Sequence, residues 1–136
     1  MKDKIFLDTN VLIYCYSSSE PDKQFKAQVV ASATNATIST QVLKEFADTL
    51  SRKFKLSWKE IHQAIEELKN NFIVHTNTPT TIEDACLLAD KYKYSFYDSL
   101  IIIAALESDC VVLYSEDMQD GQIIEKKLTI KNPFNT

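Results

Sequence analysis

Short apolar runs alternate along this chain with longer stretches whose apolar residues return every three or four positions. The runs are Ile5-Phe6-Leu7, Ala36-Thr37-Ile38-Ser39, Phe72-Ile73-Val74, Val111-Val112-Leu113-Tyr114 and Leu128-Thr129-Ile130. Each has the length of a strand and is too short for a helix. Between them, Asn10 to Tyr16 reads as a helical turn, and Pro21 opens a helix through Phe25, Val29 and Val30 to about Ala33. Val42, Leu43, Phe46, Ala47, Leu50 and Phe54 share one face of a helix capped by Ser39 or Thr40. Ser57-Trp58-Lys59-Glu60 forms a capping box for the next, which carries Ile61, Ile65 and Leu68. Thr81 to Asp84 starts a helix through Ala85, Leu88 and Tyr92, and Tyr97 to Leu106 is apolar nearly all round, hence buried. Strands alternating with helices predict an α/β domain whose mostly parallel sheet is covered on both faces.

Composition narrows the class. At 136 residues the chain has the size of one domain, taken as residues 1–136, with no repeat or linker. The first apolar run is three residues long and ends in an acid, and no apolar stretch could span a bilayer, so the expectation is a cytoplasmic protein that does not enter membranes. Cys15, Cys86 and Cys110 are odd in number and widely spaced, which reads as reduced core thiols. His62 and His75 are too few and too distant for a histidine metal site. The single glycine, Gly121, excludes a Gly-rich phosphate cradle, and a net charge of −4 does not advertise a nucleic-acid binder. Any phosphate handled here needs a metal ion or a side chain.

Candidate chemistry lies in four acids. Asp8 ends the first strand and Asp117 follows the fourth, so both face one edge of a parallel sheet, where ligand crevices form. Asp98 opens the buried helix, where a charge is costly unless it is paired or metal-bound. Glu45 lies in the early turns of the helix after the second strand. Each has an ordinary reading as well. Asp8 and Asp117 are turn residues, Asp98 completes a capping box with Ser95, and Glu45 flanks an apolar face as a solvated acid. Asp120 is a further acid near the fourth strand's end. Clustered carboxylates without cysteine or paired histidine suit Mg²⁺ or Mn²⁺ rather than zinc, and their natural chemistry is phosphodiester hydrolysis.

Five pieces in order carry a resemblance: Phe6-Leu7-Asp8-Thr9-Asn10-Val11-Leu12, Ser39-Thr40-Gln41-Val42-Leu43-Lys44-Glu45-Phe46, Tyr97-Asp98-Ser99-Leu100-Ile101, Ser115 to Gly121, and Ile130 to Phe134. With these the chain resembles PIN-domain proteins, and among them the VapC-type toxin endoribonucleases of bacterial toxin–antitoxin pairs. The resemblance implies a three-layer α/β/α sandwich of about five strands. It implies a Mg²⁺ site, which Mn²⁺ would also fill, with Asp8, Asp98 and Asp117 on the metal side and Glu45 completing the acidic pocket. Asn10 and Ser115 would position the acids or the attacking water. It further implies an RNA substrate, an antitoxin protein as partner, and a homodimer or higher assembly with that antitoxin. Arg52 is the only arginine, which leaves RNA contacts mainly to Lys44, Lys53 and Lys55. Two other readings stand beside this one. A phosphoaspartyl hydrolase of haloacid-dehalogenase type would use Asp8 as nucleophile, although Asn10 stands where that family has a second acid. A non-catalytic RNA- or protein-binding module would keep the fold alone.

Overall fold

The computed structural model describes residues 3–135. Strand β1 (Ile5–Leu7) runs into α1 (Thr9–Tyr16), and α2 (Pro21–Ala31) leads to β2 (Ala36–Ser39). Helices α3 (Thr40–Arg52) and α4 (Trp58–Asn71) precede β3 (Ile73–His75), and α5 (Pro79–Tyr92) and α6 (Phe96–Glu107) precede β4 (Val112–Tyr114). Strands β5 (Ile123–Ile124) and β6 (Leu128–Lys131) complete the series. Among the described residues the sheet therefore has six strands, in the order β3-β2-β1-β4-β6-β5, and only the β5–β6 pair is antiparallel. The strand beyond the expected five is a two-residue edge piece. Three residues join it to β6, and the turn, closed by the Lys127 amide on the Ile124 carbonyl at 3.0 Å, holds Glu125 and Lys126 in the left-handed region at φ 51° and 58°, as in primed turns.

Local chemistry explains most element boundaries. Asp8 ends β1 and caps α1, accepting the Thr9 amide at 2.7 Å. Ser39 Oγ accepts the Val42 amide at 3.3 Å and starts α3. The Ser57–Glu60 capping box of α4 is present in both directions, at 3.0 and 3.1 Å. Two boundaries differ from expectation. Thr78, not the Thr81 segment, caps α5, because Pro79 fits the first helical position and Thr81 closes a box back to Thr78. Phe72 is the C-cap of α4, so β3 begins one residue later than its apolar run.

The core is continuous. Phe6 and Leu7 of β1, Ile38 of β2, Leu113 of β4 and Ile130 of β6 are all fully buried, and Ser99 to Ala105 of α6 bury every side chain. Val42, Phe46 and Leu50 turn the apolar face of α3 inward. Among the helices flanking the sheet, α1 contacts both α2 and α3, α3 contacts α4, and α5 packs on α6. One expectation of burial fails, at Cys86, and one apolar pair is left uncovered. Phe25 and Val29, one turn apart on α2, are exposed, and Cys86 is exposed on α5 while Cys110 is buried. Among the described residues no helix is long and apolar enough to cross a membrane.

Topology places the site. The chain winds outward from β1 through β2 to β3, then returns with β4 on the other side of β1. Register is Phe6 opposite Thr37 on one side and Leu113 on the other. The order thus reverses between β1 and β4, and a crevice opens there beyond the carboxyl ends of the strands.

Candidate active site

A cleft of about 550 Å³ lies at that reversal, and Asp8, Asn10, Glu45, Asp98 and Asp117 all line it. Four separate stretches of chain supply these residues. β1 ends at Asp8, α3 carries Glu45 on its second turn, α6 presents Asp98 in its first turn, and β4 runs out into Ser115-Glu116-Asp117. Ser115 is fully buried beneath them. Asp120 does not join: its carboxylate accepts the Asn132 amide at 2.8 Å and the Asn135 side chain at 3.4 Å, closing the turn after β6.

Neutral donors, not cations, hold the acids. Asp8 takes the Thr9 amide on Oδ1 and the Ser115 hydroxyl on Oδ2 at 2.8 Å. Ser115 Oγ in turn accepts the Asp117 amide at 3.2 Å. The Asn10 amide group donates to Asp117 Oδ2 at 3.0 Å and to Asp8 Oδ2 at 3.4 Å, while its oxygen accepts the Glu116 amide at 3.3 Å. Glu45 Oε1 accepts the Thr9 hydroxyl at 2.6 Å, and Oε2 is 3.4 Å from the Gln41 amide nitrogen. The cations in the cleft wall are Arg52 and Lys53. Arg52 stands about 10 Å along α3 from Glu45 at 1.5 Å per residue and is engaged with Asp48 at 2.7 Å.

Electrostatics follows from that arrangement. Burial pushes the Asp8 carboxyl up to about 7, against the pull of the Ser115 and Thr9 hydrogen bonds, with Glu45 and Asp98 adding repulsion. Asp98 is raised as well, first by burial and then by Asp117 and Glu45, with Ser95 opposing. The capping role of this first turn is real, since Ser95 Oγ accepts the Asp98 amide at 3.1 Å. It does not exhaust Asp98, whose carboxylate feels the other acids.

The donor set is oxygen only and mutually repelling, which fits a hard divalent cation in chemistry and in charge. Gln41 Oε1 and Ser99 Oγ, beside Glu45 and Asp98 in the chain fold, are buried without a hydrogen-bond partner. Among the described residues no group of three or more His, Cys, Asp or Glu side chains could hold a metal ion as it stands. Ligation therefore requires the carboxylates to draw together against the repulsion that spreads them.

Sequence reasoning overlooked Thr9 and Gln41. Thr9 follows Asp8 directly, and Gln41 sits one turn before Glu45, on the same side of α3. That spacing was the available signal. A third group, Tyr14, Lys23 and Glu116, joins α1 and α2 to the site loop. The Tyr14 hydroxyl donates to Glu116 at 2.8 Å, and the Lys23 ammonium binds the other Glu116 oxygen while lying over the Tyr14 ring at 4.9 Å.

Fold and cleft together define an α/β protein with an all-oxygen acidic site at its topological switch point. The PIN-domain family model matches residues 5–120, and the chain belongs to the PIN-domain family. No curated protein matches it in sequence. Among solved structures it is similar to a toxin–antitoxin complex from Klebsiella pneumoniae, with a TM-score of 0.72 and 17% identity over 98% of this chain and 100% of that one. VapC20 of Mycobacterium tuberculosis, a toxin that cleaves the sarcin–ricin loop, gives a TM-score of 0.68 at 17% identity, covering 84% and 90%. DNA-bound VapBC from Salmonella typhimurium gives 0.67 at 15% identity, covering 97% and 99%. At such identities the likeness carries the fold.

Proposed function

We propose that this PIN domain is a Mg²⁺- or Mn²⁺-dependent endoribonuclease, the toxin of a toxin–antitoxin pair. One observation carries the reading: four carboxylates from four distant stretches face one cleft with only neutral donors between them. A fold needing nothing there would not bury Asp8 against its own acids. Asp8, Asp98 and Asp117 would hold the ion, with Glu45 completing the acidic wall. An ion held there would supply positive charge for the phosphate and for the water that attacks the phosphodiester bond. The chain's own residues orient the acids. Ser115 and the Thr9 amide fix both oxygens of Asp8, Asn10 spans Asp8 and Asp117, and Thr9 with Gln41 holds Glu45. The antitoxin partner rests on the similar structures solved as toxin–antitoxin assemblies. The phosphoaspartyl alternative finds little support, because the cleft's cations, Arg52 and Lys53, are at the far end of α3 from Asp8.

The direct test is cleavage of RNA by the purified chain. Activity should appear with Mg²⁺ or Mn²⁺, stop with chelator and return when Mn²⁺ is restored in excess. Undiminished cleavage in excess chelator would overturn the metal mechanism. Ser115→Ala supplies a subtler check, since the acids keep their identity and only a supporting hydroxyl is lost. Mn²⁺ affinity should fall by about 10–100-fold, as when a group supporting a metal ligand is removed. Calorimetric titration with Mn²⁺ measures this directly, and unchanged affinity would show that Ser115 does not orient Asp8 for the ion.

A further inference from the structure

Helix α6 buries every side chain from Ser99 to Ala105, yet it opens with two aromatic rings turned outward. Tyr97 is 64% exposed and Phe96 38% exposed. They meet edge to face, with centroids 5.4 Å apart at 71°. Tyr97 immediately precedes Asp98 and stands one turn before Ile101, the two α6 residues that line the acidic cleft, so it adjoins the cleft wall. Its backbone is also fixed from the site, because the Gln41 amide donates to the Tyr97 carbonyl at 3.1 Å. Both neighbours of that amide nitrogen, Tyr97 O and Glu45 Oε2, are acceptors, so the amide cannot turn over without setting oxygen against oxygen. One side chain therefore ties the backbone that carries this ring to a cluster acid.

The charge balance says what such a ring is for. The chain carries −4 overall, and the cleft has two cations against its acids. Phosphate contacts, which normally dominate nucleic-acid affinity, are poor here. Stacking of unpaired bases on aromatic rings supplies affinity without charge and without sequence preference. We propose that Tyr97, backed by Phe96, is the platform on which a nucleobase beside the scissile phosphate stacks. This rests on the endoribonuclease reading and adds a substrate-contacting residue to it. The chemistry recognised is an unpaired base. A ring closed into a duplex offers no face to stack on.

The test uses the full chain as wild type, Tyr97→Leu and Tyr97→Phe. The probe is a single-stranded oligoribonucleotide of mixed sequence and a series with one abasic residue at each position in turn. Binding is followed by anisotropy with Ca²⁺ and cleavage with Mn²⁺. Tyr97→Leu should weaken binding by about 5- to 150-fold, the range for losing one stacked base, whereas Tyr97→Phe should keep most of it. One abasic position should cost wild type a similar factor and Tyr97→Leu almost nothing. Mn²⁺ binding without RNA should be equal in wild type and Tyr97→Leu, a readout that disturbance of Asp98 would move. Wild-type binding by Tyr97→Leu, or abasic costs equal in both proteins, would overturn the platform, and cleavage that persists in that case leaves the nuclease reading standing. Ring-dependent binding with no cleavage by wild type would sink the nuclease reading instead. No binding of RNA by wild type would sink both.

Discussion

Asp8→Asn should lower RNA cleavage by more than about 100-fold, beyond the loss seen when a group merely supporting a metal ligand is removed, while the chain stays folded. Asn keeps the shape and can still cap α1 by accepting the Thr9 amide. Ser115, both donor and acceptor, can receive the new amide hydrogen. What disappears is the charge. In wild type the folded-state value of about 7 lies above the ordinary 3.8. The folded chain therefore binds this proton more tightly than the unfolded chain does. Without ion, wild-type stability should fall as pH rises from about 4 to about 7 and then level off. Asp8→Asn should lack that decline and melt higher than wild type at about pH 8 in chelator. Expressed alone in bacteria, wild type should arrest growth and the variant should not. A well-folded Asp8→Asn chain that still cleaves would remove Asp8 from the chemistry.

The second large effect concerns Asp98, where a cap and a metal ligand predict opposite outcomes. As a cap alone, Asp98→Asn should be nearly silent, because Ser95 holds the backbone amide at this position and not the carboxylate. As one of several acids facing an ion, its neutralisation relieves both the cost of burying its charge, the larger cause of its raised carboxyl, and the repulsion from Asp117 and Glu45. In chelator the variant should then melt above wild type. A relief of one or two kcal/mol corresponds to roughly 2–8 °C at this size. With Mn²⁺ the order should narrow or reverse, since only wild type gains the full binding contribution. The decisive data are two pairs of melts, chelator against Mn²⁺. Identical metal-induced shifts in both proteins would show that Asp98 does not touch the ion.

Much of this architecture was legible in the residues because its signals are local. Three-residue apolar β1 followed by Asp8, the Ser57–Glu60 box and the periodic face of α3 each declare themselves within a few positions. The placement of three acids was legible for a related reason: Asp8, Asp98 and Asp117 stand where a strand ends or a helix begins, and the topology brings them to one cleft with Glu45, whose place on the second turn of α3 gave no such signal. The illegible parts are those decided across the chain. The hydrogen bond from Thr9 to Glu45 spans 36 residues, and that from Ser115 to Asp8 spans 107. Lys23 finds Glu116 across 93 residues. Nothing near Phe25 or Val29 says that their face of α2 goes uncovered. Strand β5 is only two residues long and exists because β6 offers it an edge.

The reversal between β1 and β4 also sets a timetable. Phe6 is synthesised 107 positions before the β4 residue it pairs with, Leu113 (113 − 6). At about 5–20 residues per second that gap is roughly 5–20 s. Throughout it, Asp8 has neither Ser115 beneath it nor Asp117 across from it. A nascent chain thus carries the first half of the cleft with no second half to close it. Whatever chemistry the cleft performs, it begins only once the ribosome has delivered the fourth strand.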